Sequence, residues 1–286
     1  MNILVIGGNR LIGKHLVKYL LVDGNHVTIA NRGLTSDSFG SRVDRIVFDR
    51  TDAKSISMAF GDKHYDIVYD SLAYSSNDVK CLLDILKCGK YIMTSSISVY
   101  PQYKTNMKES DFEPVYHQLK WCWRKDNTYG EAKRQAECAL YQLFNHVLSI
   151  AVRFPFVTGE DDYTNRLCFY VDHVVKSIPM LVDNSDEKMS FITSDEAGRF
   201  LAWLSLNDFC GRINASSRGT ISICDIIQYV EKKTGVSALY SPHGEAAPFN
   251  GVETNNLDLQ KAESLGFMFS NVGSWIYNLL DSYMVS

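Results

Sequence analysis

Four apolar residues, Ile3 to Ile6, run straight into Gly7-Gly8-Asn9-Arg10-Leu11-Ile12-Gly13. Behind that turn Leu16, Val17, Leu20 and Leu21 recur with helical spacing as far as Asp23-Gly24. A short, wholly apolar run suits a strand buried on both faces of a parallel sheet. Strand, glycine-rich turn and helix in that order describe the first unit of a dinucleotide fold. Glycines let the backbone approach a pyrophosphate, and the first helical turn offers it unpaired N–H groups. Gly7-Gly8 taken alone is also an ordinary turn. Its place directly behind an apolar amino-terminal strand favours the nucleotide reading.

The pattern repeats. Strands are expected at His26–Ala30, Arg45–Phe48, Asp66–Tyr69, Lys90–Thr94 and Val147–Arg153, with helices at about Ser76–Lys87 and from Tyr129 to Phe144. Alternating strand and helix builds an α/β doubly wound parallel sheet (Rossmann), here of six or seven strands, with ligands at the carboxyl ends. The second strand ends in Asn31-Arg32-Gly33, where an acidic residue commonly holds the adenosine ribose. A neutral Asn31 beside Arg32 leans towards NADP over NAD, although Arg32 serves equally to stack on adenine. Asp49-Arg50 closes the third strand; Asp49 is either an acceptor for the adenine amino group or a helix N-cap before Ala53. Ser71-Leu72-Ala73-Tyr74 follows the fourth strand, and Ser95-Ser96 ends the fifth. Residues 101–127 form a long loop carrying Trp121 and Trp123, read as a lid or as surface packing. Beyond Arg153, Phe154 to Gly159 breaks regular structure. Helices are expected at 167–178, 195–206, 224–233 and 274–283, and short strands at 191–192 and 213–214. Residues 1–155 plus 189–216 read as the dinucleotide-binding domain, and 156–188 plus 217–286 as a smaller carboxyl-terminal substrate lobe.

Tyr129 and Lys133 are four apart, one turn apart on one helix face. Thr128 and Glu131 have the spacing of a capping box, which would start the helix at Tyr129. The positive end of the helix and the Lys133 charge both favour the phenolate, the form that takes a proton from a hydroxyl. Tyr100/Lys104 and Tyr116/Lys120 share the spacing. Pro101 spoils the first as a helix start, and the second has no cap and no helical run behind it.

Composition excludes several classes. The net charge is −4 and the isoelectric point near 6.0, which gives no footprint for nucleic acid. Seven cysteines without a C-x-x-C pair suit a reduced, cytoplasmic chain with no metal site. Met1-Asn2 leads directly into the first strand, so no signal peptide is expected. No apolar run approaches membrane-spanning length.

In this order the motifs resemble the extended short-chain dehydrogenase/reductases, specifically their NAD-dependent epimerase/dehydratase group. The likeness spans nearly the whole chain: Gly7-Gly8…Gly13, Asp49, Leu72-Ala73, Ser95-Ser96…Val99-Tyr100, Tyr129-Gly130…Lys133, Arg153…Gly159 and Leu257-Asp258…Leu265-Gly266-Phe267. The resemblance implies a catalytic set of Ser96, Tyr129 and Lys133. It implies cofactor contacts at Gly7, Gly8, Asn9, Arg10, Leu11, Ile12, Gly13, Asn31, Arg32, Asp49, Arg50, Leu72, Ala73, Tyr74 and Phe154, and no metal. Three positions depart from the group. Its middle glycine is Arg10, its asparagine before the Tyr-Gly-Pro stretch is Phe156, and its diphosphate-gripping arginine is Met189. Arg166 or Lys176 stands near enough in sequence to replace the lost anchors; otherwise the substrate is not a nucleotide-sugar. The expectation is an NAD(P)-dependent epimerase, dehydratase or oxidoreductase acting on a secondary alcohol of a small molecule such as a nucleotide-sugar, as monomer or homodimer. The alternative keeps the dinucleotide as a structural or sensory ligand and does no chemistry.

Overall fold

The computed structural model describes residues 1–285. Along the chain the elements are β1 (Asn2–Ile6), α1 (Leu11–Val22), β2 (His26–Asn31), β3 (Asp44–Val47), α2 (Ala53–Phe60), β4 (His64–Asp70), α3 (Ser76–Leu83), β5 (Lys87–Ser96), α4 (Tyr129–Gln142) and β6 (Leu148–Phe154). Then come β7 (Phe156–Thr158), α5 (Arg166–Val175), β8 (Phe191–Thr193), α6 (Ser194–Leu204), β9 (Gly211–Asn214), α7 (Ile223–Thr234), α8 (Gln260–Ser264) and α9 (Ile276–Val285). The chain forms two compact units. One comprises 1–101, 108–154 and 195–215; the other comprises 102–107, 155–194 and the chain from 216 onward.

The first unit is built on a seven-stranded parallel sheet in the order β9-β6-β5-β4-β1-β2-β3. The chain winds outward from β1 to β3, then returns to the other side at β4. The carboxyl ends of β1 and β4 therefore diverge at the centre, the point where such sheets take ligands. Ile3 to Ile6 are wholly buried, as an all-apolar central strand requires. On one face Leu4, Ile6, Val68 and Met93 pack with Ile56, Phe60, Val79, Leu82, Ala136 and Leu140 from α2, α3 and α4. On the other, α6 closes on α1 so tightly that a side chain at Gly198 would meet His15 Cβ at 2.6 Å.

Several local expectations are corrected. α3 stops at Leu83, short of Lys87, because Lys87 already pairs with His64 as the start of β5. Phe156–Thr158 is not irregular: it is a strand paired in parallel with β8. Residues 108–127 are fastened down rather than left as a lid. Gln135 binds Lys120 N and Gln118 O, Gln142 binds Pro114 O and His117 O, and Ser76 Oγ bonds Lys120 O and receives Cys122 N. The second unit has its own core. Leu167, Tyr170 and Val174 of α5 pack with Ile223, Ile227 and Val230 of α7 and with Ile276 and Leu280 of α9. α7 opens on a reciprocal capping box between Ser222 and Asp225.

Glu137 of α4 and Arg153 of β6 are both excluded from water and pair at 2.6 Å. Glu137 Oε1 also accepts from Ser95 Oγ at 2.6 Å. Arg153 donates to Glu109 O and Phe112 O, each at 2.9 Å. One pair thereby joins α4, β5, β6 and the loop that follows β5. Glu137→Ala leaves the guanidinium buried without its partner, a loss on the order of 3–5 kcal/mol. Urea denaturation should show the midpoint fall with little change in slope.

Candidate active site

The glycine turn comes first because its geometry admits almost nothing else. Gly7 has φ +89°, and its missing side chain would sit 3.0 Å from the Leu72 side chain. At Gly13 a Cβ would lie 2.1 Å from Gly7 O, inside the atom. α1 therefore starts directly against the end of β1, and no side chain caps it at Arg10. A tight cradle at an uncapped helix N-terminus suits the pyrophosphate of a dinucleotide. Asn9, Arg10, Leu11 and Ile12 form the body of this turn. Asn9 Nδ2 donates to Thr35 O at 2.6 Å and Asn9 Oδ1 accepts from Asn31 Nδ2 at 2.8 Å. Arg10 NH2 reaches Thr35 Oγ1 at 3.1 Å. The turn is thus tied to the carboxyl end of β2, where Asn31 Oδ1 also accepts from Gly33 N. Thr35 is a member of this group that the sequence pattern did not single out.

Asp49 and Arg50, adjacent in sequence, part company. Asp49 is exposed at the end of β3, and its Oδ1 accepts from both Thr51 N and Thr51 Oγ1. These bonds hold its carboxyl below the usual carboxylate range, with Arg32 adding to the effect. The N-cap of α2 is Asp52, whose side chain accepts from Lys54 N, so the capping alternative for Asp49 fails. Arg50 turns inward. Its NH1 and NH2 each lie 3.0 Å from Asp70, and its Nε lies 3.1 Å from Asp78 Oδ1. The Arg50 guanidinium, expected among the cofactor contacts, is here engaged by two carboxylates. Phe154, at the end of β6, has its side chain buried at 1% exposure.

At the carboxyl ends of β4 and β5 the other candidates converge. Thr128 Oγ1 accepts from Glu131 N at 3.3 Å and starts α4 at Tyr129. The reciprocal half of the box is replaced. Glu131 instead binds Gln135, Arg134 and His117, which hold its carboxyl down at about 2 although burial works to raise it. Gly130 allows this start: a Cβ there would lie 2.5 Å from Ser98 O. Ser96 caps that same turn, its Oγ accepting from Ser98 N at 3.1 Å. Ser95, pointing to the opposite side of the strand, belongs to Glu137 instead. Tyr129 is 37% exposed, with the Arg124 guanidinium carbon 5.3 Å from its ring centre and the Tyr74 ring at 6.4 Å.

Lys133 is 1% exposed. Its Nζ donates to Ala73 O at 2.8 Å and Thr94 O at 2.7 Å, and lies 4.7 Å from the Tyr74 ring centre. Burial pulls its pKa down to about 8, against the opposing pull of Asp70 and Asp78. The ammonium is therefore the main form at neutral pH. A phenol at the head of α4, a hydroxyl at the end of β5 and a buried ammonium one turn along α4 are group types that serve proton transfer at a carbinol.

Fold and turn together define a Rossmann-type dinucleotide-binding chain. The family model for the NAD dependent epimerase/dehydratase family matches residues 3–207, and the chain belongs to that family. Among solved structures it is similar to UDP-glucose 4-epimerase of Thermotoga maritima, with TM-score 0.78 and 17% identity over 100% of this chain and 98% of that one. It is also similar to the UDP-glucuronic acid 4-epimerase of Bacillus cereus, in complex with UDP-glucuronic acid and NAD (TM-score 0.74, 21% identity, 100% and 98% covered). At these identities the likeness is one of fold. A curated relative, the chloroplast stem-loop binding protein of 41 kDa b of Arabidopsis thaliana, is 31% identical over 113 residues, 35% of this chain and 30% of its own length. The chain thus matches under a third of that relative. Among the described residues no helix is long and apolar enough to cross a membrane, and no cluster of His, Cys, Asp and Glu is suited to a metal.

The lysine pKa has a measurable consequence. An unfolded lysine titrates near ~10.4. Between about pH 8 and that value the unfolded chain holds a proton that folded Lys133 has released, so Lys133 makes stability rise with pH across this window. Below it both states are protonated and the burial penalty stands in full. Lys133→Met should flatten the rise, as read by urea denaturation of both proteins from pH 7 to 10.

Proposed function

We propose that this chain is an NAD(P)-dependent epimerase, dehydratase or oxidoreductase that works on a secondary alcohol, with a nucleotide-sugar as its substrate class. The observation that supports this reading is Lys133 Nζ held on Ala73 O, next to the Leu72 side chain that abuts Gly7, with Tyr129 one turn earlier on α4 and Ser96 at the end of β5. A nicotinamide dinucleotide held by the Gly7–Gly13 turn would supply the acceptor for the carbinol hydride and, in an epimerase, its donor for the return. Tyr129, exposed at the head of α4, takes the hydroxyl proton. Ser96 holds the substrate oxygen. Lys133, fixed by two carbonyls one turn along the same helix, supplies the positive charge that favours the phenolate and meets the nicotinamide ribose. Leu72, Ala73 and Tyr74 line the nicotinamide end. Seven free cysteines are consistent with a cytoplasmic setting.

The substrate anchors of the family are changed, and the second unit offers one replacement. Phe156 packs at a tilt against the Phe191 and Phe249 rings, and Met189 is buried. Lys176 is paired with Asp172 at 2.9 Å. Arg166 lies over the Phe156 and Phe249 rings at 5.8 and 5.7 Å, held by Val157 O and Thr164 Oγ1. A guanidinium so held suits a diphosphate. The rival reading, a dinucleotide-binding protein without catalysis, draws on the relative whose name is that of a stem-loop binding protein. A net charge of −4 speaks against nucleic acid as the partner.

Tyr129→Phe keeps the ring and removes the proton acceptor. In an assay over a panel of nucleotide-sugars and simple alcohols, kcat should fall on the order of 10²–10⁴-fold while dinucleotide affinity is held. Arg166→Ala should raise KM about 10- to 100-fold with kcat little changed, the loss of one charged contact. Activity retained in Tyr129→Phe refutes the assignment of the base. Binding of a dinucleotide with no turnover on any substrate favours the rival.

Asn31 and Arg32 stand at the end of β2 where an acidic residue would repel a 2′-phosphate, which supports NADP as the preferred cofactor. Fluorescence titration should show NADP binding more tightly than NAD, and Arg32→Ala should lose most of that difference. A wild-type preference for NAD would overturn the point.

A further inference from the structure

We propose that Arg50, Asp70 and Asp78 form a buried clamp that positions Lys133 and keeps it charged, acting as positioning residues behind the dinucleotide site. Asp70 is the last residue of β4 and is wholly buried. It accepts from both terminal nitrogens of Arg50, from Tyr91 OH at 2.8 Å and from Leu72 N at 2.9 Å. Asp78, in the first turn of α3, accepts from Tyr74 N at 3.0 Å and Ser75 Oγ at 2.7 Å, and its own carbonyl receives Arg50 NH2. The two carboxylates therefore grip the chain at Leu72 and Tyr74, on either side of Ala73. Ala73 O is one of the two acceptors of Lys133 Nζ, and Leu72 is the side chain that abuts Gly7. Arg50 joins the two grips. Its placement fixes the segment that both seats the lysine and walls the glycine turn.

The charges make the same point. Asp70, Asp78 and Arg50 together carry one net negative charge in a space largely shielded from water. The Lys133 ammonium balances it. Other groups facing the lysine change little: Glu137 on α4 is neutralised by Arg153, and Tyr74 presents its ring. Burial pushes the Asp70 carboxyl up, but Arg50, Tyr91 and Leu72 N together hold it below the usual carboxylate range. Asp70 thus holds a negative charge beside the lysine, and with Asp78 it resists loss of the lysine proton.

The inference takes Lys133 as part of the site proposed above, but its test needs no activity. The full chain is labelled with 13C at the lysine ε-carbons, and the Lys133 signal, assigned by its loss in Lys133→Met, is followed against pH without dinucleotide. In wild type the midpoint should lie near about 8. Asp78→Asn removes a negative charge and should lower the midpoint by about one pH unit, a tenfold change in proton affinity. Arg50→Met removes the opposing positive charge and should raise it. Arg50→Lys keeps the charge and should leave the midpoint near the wild-type value, which supplies the comparison if Arg50→Met fails to fold. A midpoint that does not move in Asp78→Asn, or that moves the same way in both charge-changing variants, overturns the clamp. NAD and NADP titrated separately into the same wild-type sample separate the two readings. Failure of both to bind sinks the proposed function and leaves the midpoint shifts to decide the clamp.

Discussion

The Glu137–Arg153 pair is the contact on which the geometry of the site depends. A helix packed on a sheet by apolar side chains alone can slide at small loss, since dispersion and burial are weakly directional. A buried carboxylate and guanidinium cannot, because each displaced bond leaves a charge without a partner. Glu137 lies one turn beyond Lys133 and two beyond Tyr129 on α4. Its bonds to Ser95 and Arg153 therefore set where both of those residues stand relative to the ends of β5 and β6. Gly130 completes the adjustment at the other end of the helix by letting the backbone close on Ser98 O.

The first unit carries an unusual load of buried charge for its size, and it is arranged in balanced sets. Glu137 and Arg153 form one. Asp70, Asp78, Arg50 and Lys133 form the other, with Tyr91 OH and backbone N–H groups filling the remaining acceptor positions. An isolated buried charge would shift its pKa and neutralise. Balanced sets keep their charges, at the expense of demanding fixed geometry. That demand falls at the carboxyl ends of the central strands, where a ligand site gains most from rigid support.

Departures from the family pattern fall into two kinds. At the glycine turn, Arg10 replaces a glycine without opening the cradle, because its side chain leaves toward Thr35 and the tight contact is between Gly7 and Gly13. In the second unit, Phe156 and Met189 turn polar positions into parts of an aromatic and apolar core. Arg166 lies across that aromatic surface and restores one cation to it.

Much of this was legible in the residues alone. The sheet and the glycine turn follow from local rules: an all-apolar run reads as a buried strand, and Gly13 is required by its contact with Gly7 O, six residues back along the chain. The start of α4 was equally local, since Thr128 caps it. Other features were settled only by residues distant in sequence. Asp49 and Arg50 look alike as polar residues behind β3, yet one faces water and the other faces Asp70 and Asp78, twenty and twenty-eight residues on. Nothing local distinguishes Ser95 from Ser96 until Glu137 claims one of them. Phe154 ends a strand near the site but points into the interior, and the end of α3 was decided by the pairing of Lys87 with His64. Periodicity and capping act within a few residues, so sequence specifies elements and their order. Which polar group is buried, and against which charge, depends on the packing of strands and helices that sequence separates widely, and only the tertiary structure could decide it.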